Sequence, residues 1–212
     1  MKYIKLVVVI VMMCMTILLL ETNSGDKRGS DHLQKIVMEN GVPNGVTGIY
    51  LNNRGYDTMF EVLIFSLAIM AAVHYLSQIK ETREFVGISD ESTTTVARFA
   101  ALMAGVVGIS LATFGHLSPG GGFAAGVAGG TALVMYAITS DIHLIQARLR
   151  DFKVEILEKF LVPSIIVLIF TNFLPFKYPP VSIPILNILI FLKVSVGMWM
   201  VAYIFMRHRG IL

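Results

Sequence analysis

The chain of 212 residues is 55% hydrophobic and 15% charged, with a mean hydropathy of +0.73, whereas a soluble domain carries about 25% charged residues. This composition excludes an ordinary soluble domain and indicates an all-α integral membrane protein. The net charge is only +3 and the basic residues lie beside apolar segments, which argues against nucleic acid as a partner; the single Cys14 excludes an internal disulfide.

Six apolar segments come near the ~20 residues that a membrane-spanning helix needs. The predicted spans are 4–20, 58–79, 97–114, 121–140, 158–175 and 184–206. The first also resembles a signal peptide, but its length and the lack of a small-x-small cleavage site favour a retained anchor. Most lysines and arginines outside the spans lie on the side of the two termini, which predicts a multi-pass protein of the cell membrane with both termini cytoplasmic.

The segments between the spans predict little additional structure. Residues 21–57 are polar and predict one short helix, followed by an extended or interfacial stretch from Asn44 to Leu51. Ser92 to Thr95 supply N-cap candidates for the third span. Residues 141–157 alternate charged and apolar side chains, which predicts an amphipathic surface helix that continues into the fifth span.

Lys193 is the clearest ionisable group inside a predicted span. A charge at this depth costs about 2.5–3.5 kcal/mol on insertion scales, so each such residue is a functional hypothesis. A buried lysine shifts its pKa readily and could exchange a proton or repel a cation. The alternative is a structural ion pair with a carboxylate on a neighbouring chain.

The second span carries three further candidates. Asp57 before Thr58 is a good helix N-cap, and this structural role is sufficient to explain an acidic residue at that position. Glu61 lies deeper among apolar residues and could line an ion route. His74 follows Glu61 by 13 residues, so the two side chains face roughly opposite ways on a helix. His74 is either an interfacial residue or part of a proton relay.

A polar turn of glycine and proline, Gly115 to Phe123, separates the third and fourth spans. His116 could pass protons there or could bind the free carbonyls at a helix C-terminus. Ser118 and Pro119 predict the start of the next helix, which would place the following glycines in its first turn. Small-xxx-small spacing predicts close helix packing. The predicted packing motif comprises Pro119, Gly120, Gly121, Gly122, Phe123, Gly126 and Gly130.

Several motifs of catalysis and cofactor binding are missing from the sequence. There is no phosphate-binding Gly-x-x-x-x-Gly-Lys-Ser/Thr, no Cys-x-x-Cys and no His-Glu-x-x-His. We therefore expect no catalytic residue, no metal site and no cofactor in this chain, which is not an enzyme by itself.

Residues Gly115-His116-x-x-Pro119-Gly120-Gly121-Gly122-Phe123 resemble the signature of the B-type subunit of Mrp-type multisubunit sodium/proton antiporters. The resemblance covers about residues 95–212 and extends to the last span, where Leu186-Asn187 and then Leu192-Lys193-Val194 to Gly197 resemble the final span of that subunit. Residues 44–79, which include Asn44-Gly45-Val46 and the run Asn53-Arg54-Gly55-Tyr56-Asp57-Thr58-x-x-Glu61, are similar to the small module at the C-terminal end of the large, A-type subunit of these antiporters. In membrane-bound hydrogenases and sulfur-reducing complexes of anaerobic archaea, that module is a separate small polypeptide.

The two resemblances together imply a fusion. Residues 1–79 would form a two-helix module with an extracytoplasmic loop, residues 80–96 a cytoplasmic connector, and residues 97–212 a four-helix domain like the B-type subunit. The resemblance implies a non-catalytic subunit that contributes to a path for Na⁺ and H⁺ in the membrane arm of an archaeal respiratory complex.

The resemblance also implies partners. These would be A-type and D-type subunits and small subunits of the C, E, F and G types, together with the lipid bilayer. A peripheral redox module with NiFe or Fe–S centres could also attach. The alternative is a structural assembly subunit of a free-standing antiporter without direct ion contact. A stand-alone enzyme or transporter is disfavoured because catalytic constellations and paired inverted halves are absent from the sequence.

Overall fold

The structure is a computed structural model that describes residues 27–78, 87–172 and 179–207. The predicted first span, 4–20, and residues 80–86 of the predicted connector lie outside the described residues. The chain forms two compact units, residues 1–36 and 37–212. Of the first unit, only residues 27–36 are described, and they are helical. All contacts below belong to the second unit.

The described residues are mostly helical and contain no β-strand. A π-helical segment, Ile49–Asn53, follows the short helix Gly45–Gly48. The α-helices are α1 Lys27–Asn40, α2 Gly45–Gly48, α3 Gly55–Ser77, α4 Glu91–Phe114, α5 Gly122–Ala137, α6 Ile142–Asp151, α7 Val154–Thr171 and α8 Pro179–Arg207.

Three of the described helices, α3, α4 and α8, are long and apolar enough to cross a membrane, and α5 is a shorter apolar helix. Large apolar side chains stay exposed along α4, for example Phe99, Leu102 and Ile109. Such a surface is unfavourable in water and suits a lipid environment. The predicted all-α membrane fold is confirmed, whereas the orientation of the termini stays a prediction.

Two predicted details in the first half of the described chain are wrong. The extended alternative for Asn44 to Leu51 is wrong, because Asn44 caps the single turn α2 and its side chain accepts a hydrogen bond from Thr47 N. The interfacial alternative stays a prediction. The N-cap of α4 is Asp90, ahead of the predicted Ser92 to Thr95, and its carboxylate accepts hydrogen bonds from the Thr93 amide and hydroxyl. These bonds hold the pKa of Asp90 below its usual value.

The amphipathic segment is also interrupted. Helix α6 forms as predicted, with Asp141 as its N-cap, but it does not continue into the fifth span. Lys153 adopts a left-handed backbone conformation, with φ of 54°, and separates α6 from α7. Helix α7 therefore starts at Val154, and Pro163 lies in its interior, not in its first turn.

Helix α8 is the centre of the packing, because it contacts α3, α5 and α7, while α4 packs mainly on α5. The main core forms where α3, α7 and α8 meet, around Val62, Ile165 and Ile190. A smaller cluster surrounds Trp199, whose indole N–H donates to Gln146 Oε1 at 2.8 Å and holds α6 on α8.

Glycines let α5 approach α8 closely. Helix α5 begins at Gly122, not at Pro119 as predicted, and Gly121 is its N-cap. A β-carbon on Gly122 would meet the Asn187 carbonyl oxygen at 2.7 Å, and one on Gly130 would meet Met198 Cβ at 2.7 Å. Gly126 lies between them against Val194. The three glycines thus form one contact face with the spacing of a small-xxx-small motif.

We expect Gly126→Leu to lower the stability of the assembled protein by at least about 2 kcal/mol, because the new side chain must displace Val194 and the Phe191 carbonyl. Thermal unfolding of the purified membrane complex measures this change. Gly105→Ala is the matched control: its β-carbon would meet only Ala132 Cβ at 3.6 Å, so stability should hold or rise. Equal effects of both substitutions would contradict the close approach.

Candidate ion-pathway site

Polar groups gather around the turn Gly115–Gly122 between α4 and α5. Asn44, at the start of α2, ties this turn to the preceding part of the chain. Its Nδ2 donates to Gly115 O at 2.8 Å and to Ser118 O at 2.7 Å. Its backbone N–H donates to His116 O at 3.1 Å. One asparagine therefore satisfies carbonyls that the end of α4 leaves free.

Two hydroxyl groups add hydrogen bonds to those that Asn44 makes with the turn. Thr47 is fully buried and donates to Gly115 O at 2.9 Å. The Tyr50 hydroxyl lies 3.4 Å from Thr47 Oγ1 and 3.5 Å from Gly120 O. Gly121 gives the phenol room, because a β-carbon there would overlap the Tyr50 hydroxyl. We call Asn44, Thr47, Tyr50, the turn Gly115–Gly122 and Asn187 the turn cluster.

Two buried polar atoms of the turn cluster lack a hydrogen-bond partner among the described residues. Asn187 on α8 is fully buried, and its Oδ1 accepts from Gly122 N at 3.1 Å, but its Nδ2 has no such partner. His116 Nδ1 is the second atom. Unsatisfied buried groups are rare because they cost free energy, and each requires an explanation such as an ordered water, an ion or a functional role.

Glu61 lies beside the turn cluster. It is exposed on α3, and its negative charge reaches Tyr50. The pKa of the Tyr50 phenol is raised mainly by burial; the Thr47 hydrogen bond opposes the shift and the Glu61 charge adds to it. Tyr50 therefore stays neutral at physiological pH and remains a hydrogen-bond donor.

The two other candidates on α3 have local partners. Asp57 is not the N-cap as predicted, because α3 already begins at Gly55; it lies in the first turn and pairs with Arg54. His74 is exposed near the other end of α3, where its Nε2 lies 2.8 Å from Gln78 Nε2. The 13 residues between Glu61 and His74 place them about 20 Å apart along the helix.

Lys193 forms an ion pair with Glu158 on α7. The lysine side chain is 1% exposed and the glutamate 17%. Lys193 lies 14 positions after Pro179 and 14 before Arg207, so it occupies the midpoint of α8, about 21 Å from either end. The expected alternative placed the carboxylate on a neighbouring chain, whereas the structure supplies it from this one.

Sequence reasoning missed Glu158 as a site residue, because it expected the carboxylate partner of Lys193 on a neighbouring chain. A usable signal was present: a lysine at mid-membrane depth requires a carboxylate, and Glu158 begins the apolar run of the fifth predicted span.

Helix α8 carries both polar sites. Asn187 and Lys193 are six residues apart, about 9 Å along the axis, and face α5 and α7 respectively. The described residues hold no group of three or more His, Cys, Asp or Glu side chains that could bind a metal ion. The arrangement offers a buried, ion-paired charge within the bundle and a neutral hydrogen-bonding cluster next to a carboxylate.

Comparison with known proteins adds a family and a fold. The family described as a domain related to the MnhB subunit of Na⁺/H⁺ antiporters matches residues 92–200. No curated protein sequence matches the chain. The structure is similar to a chain of the membrane-bound sulfane sulfur reductase, an archaeal respiratory membrane complex, with a TM-score of 0.69 and 21% identity over 96% of this chain and 98% of that one. At this identity the likeness concerns the fold.

Removing one member of the Lys193–Glu158 pair should be strongly destabilising. We expect Lys193→Met to cost about 3–5 kcal/mol, because it leaves the Glu158 charge without its partner, while Lys193→Met with Glu158→Leu should recover most of the loss. Thermal unfolding of the assembled complex distinguishes the two. Lys159→Met, at an exposed lysine on α7, is the matched control. A double variant no more stable than the single one would refute the pairing.

Asn44→Ala should destabilise the protein by about 1–3 kcal/mol, because it removes two side-chain donors from carbonyls of the turn. Thr47→Val, which keeps the shape and removes one donor, should cost less. The control is Thr113→Val, since that hydroxyl bonds only to carbonyls of its own helix. The measurement is again thermal unfolding. An Asn44 variant as stable as the Thr113 control would contradict a stabilising role for the hydrogen bonds from Asn44 to the turn, which we call the Asn44 clamp.

Proposed function

Since the chain belongs to the family of domains related to the MnhB subunit of Na⁺/H⁺ antiporters, we propose that it is a non-catalytic subunit that contributes to a sodium and proton path in a multisubunit, antiporter-like membrane module. The observation that carries this proposal is the Lys193–Glu158 pair, which places two opposite charges inside the bundle at the middle of α8. A buried ion pair gains little stability over apolar packing, so a functional role is the better reason for it.

In the proposed path, Glu61 is the outer carboxylate and attracts a cation or accepts a proton. It stands at the outer end of α3, if the termini are cytoplasmic, next to the neutral Tyr50 of the turn cluster. The Glu61 side chain is exposed at the surface of this chain, so we expect it to contact a neighbouring subunit. Asp57 and His116 lie at the same end and belong to the same outer region, whereas His74 lies toward the inner end.

Lys193 responds to the ion by a change of pairing. When a cation or proton approaches Glu158, the attraction between Glu158 and Lys193 weakens, and the lysine charge becomes available to repel a second cation. The proposed transported species are Na⁺ and H⁺, and we expect no cofactor in this chain.

The larger assembly that we propose is the membrane arm of an archaeal respiratory complex of the hydrogenase or sulfur-reductase type. Its support is the fold likeness to a sulfane sulfur reductase chain along nearly the full length of both chains. The partners would be A-type and D-type subunits, small subunits of the C, E, F and G types, and a peripheral redox module with NiFe or Fe–S centres. On this view residues 1–79 and 97–212 correspond to two fused modules.

A structural role is the second candidate. In a free-standing antiporter the chain would serve assembly without ion contact, and the ion pair would only lock α7 to α8. The observation that favours this role is that Lys193 finds its carboxylate within the same chain, so the pair is complete without an ion.

Transport by the intact complex in sealed vesicles separates the two candidates. We expect Glu61→Gln to reduce sodium-dependent proton flux by at least about tenfold, because the outer carboxylate is lost while the side-chain shape is kept. The Lys193→Met, Glu158→Leu double variant should fold, assemble and lose flux to a similar degree. Flux is measured with a pH-sensitive dye at several sodium concentrations.

Glu39→Gln is the matched control for Glu61, since Glu39 is an exposed carboxylate on α1. Its flux should equal that of the unmodified complex. Normal flux in both the Glu61 variant and the double variant, in complexes of normal composition, would leave only the structural role.

A further inference from the structure

A groove that none of the roles above uses runs between α4, α5 and α8. Its volume is about 620 Å³, within the range of ligand pockets. Gly105 on α4 and Gly129 on α5 form part of its wall, with Ala132 and Phe191 beside them. The groove opens on the exposed apolar surface of α4. Leu102 and Val106 line the groove and also form part of that surface. The groove is therefore open at the surface of this chain.

One end of the groove is charged. Arg98 lines it, in the second turn of α4, while Ile109 lines the opposite end. The Arg98 guanidinium donates to Thr139 O at 3.2 Å and lies 3.5 Å from Thr139 Oγ1, which fixes its position near the end of α5. An arginine has five N–H donors, so at least three remain for another acceptor. Within the described residues it has no carboxylate partner.

The length of the groove fits one leaflet. Arg98 and Ile109 are 11 residues apart, about 16 Å along the helix. Half of the hydrocarbon core of a bilayer measures about 15 Å. A hydrocarbon chain with its head group at Arg98 would thus end near the bilayer midplane. A helix of a partner protein would have to cross about 30 Å and would outrun the groove.

From these observations we propose that the groove binds one acyl or isoprenoid chain of an anionic membrane lipid, whose phosphate accepts hydrogen bonds from Arg98. Arginine recognises phosphate by parallel N–H donors, and basic pockets between membrane helices bind anionic head groups. The small residues Gly105 and Ala132 leave room for the hydrocarbon, while Tyr136 borders the groove near the charged end. The bound lipid would seal the seam between α4 and the α5–α8 pair.

The test uses the intact complex in bilayer discs of equal parts phosphatidylglycerol and phosphatidylcholine. After purification, mass spectrometry counts the lipids retained. We expect the unmodified complex to retain phosphatidylglycerol preferentially. Arg98→Gln should reduce that preference about tenfold, the size expected for the loss of charge-assisted hydrogen bonds. Gly105→Leu should expel the lipid of either type, since its side chain enters a groove where a β-carbon still has space.

Arg150→Gln is the matched control, because Arg150 is an exposed cation on α6 outside the groove, and it should leave retention unchanged. A photoreactive amino acid at Leu102 gives an independent readout and should attach to lipid. Crosslinking of Leu102 to another polypeptide would show that a protein occupies the groove and would overturn the proposal. So would an undiminished preference for phosphatidylglycerol in Arg98→Gln, or a loss of equal size in the Arg150 control.

Discussion

The close approach of α5 to α8 is the contact on which the rest of the structure depends. Because Gly122, Gly126 and Gly130 carry no side chains, the α5 backbone lies directly against Asn187, Val194 and Met198. That contact brings the amide of Gly122 within reach of Asn187 and shapes the turn that precedes it. It also leaves the opposite face of α8 free to receive α7, and with it Glu158.

Much of the architecture follows from apolar patterning. The spans predicted at 58–79 and 184–206 correspond to α3 and α8, and the glycine spacing identified the α5 face that meets α8. Hydrophobicity and spacing are strong signals, because bilayer thickness sets helix length and small side chains allow helices to touch. The predictions for the shorter segments were less accurate, because local hydrogen bonds determine their conformation. Asn44 caps α2 and Asp90 caps α4.

The candidate site was predicted only in part. Lys193, Glu61 and His116 stand out in a sequence because ionisable groups are costly in apolar surroundings. Thr47 and Tyr50 do not stand out, since neutral polar residues occur throughout the chain, and the resemblance includes Asn187 without giving it a role. Only the fold brings the three residues to one turn. Glu158 was missed because the sequence suggested a carboxylate partner of Lys193 on a neighbouring chain, whereas the fold packs α7 against α8 and brings Glu158 to Lys193.

The clamp at Asn44 has a consequence for how such a chain can be divided. It joins the residues before the predicted connector to the turn at Gly115 through hydrogen bonds, and α3 packs into the same core as α7 and α8. The two predicted modules therefore meet through a buried, specific surface of the kind that separate polypeptides share. Peptide continuity between α3 and α4 raises their local concentration but supplies none of these contacts. A gene split within codons 80–86 would yield two polypeptides that already possess complementary faces.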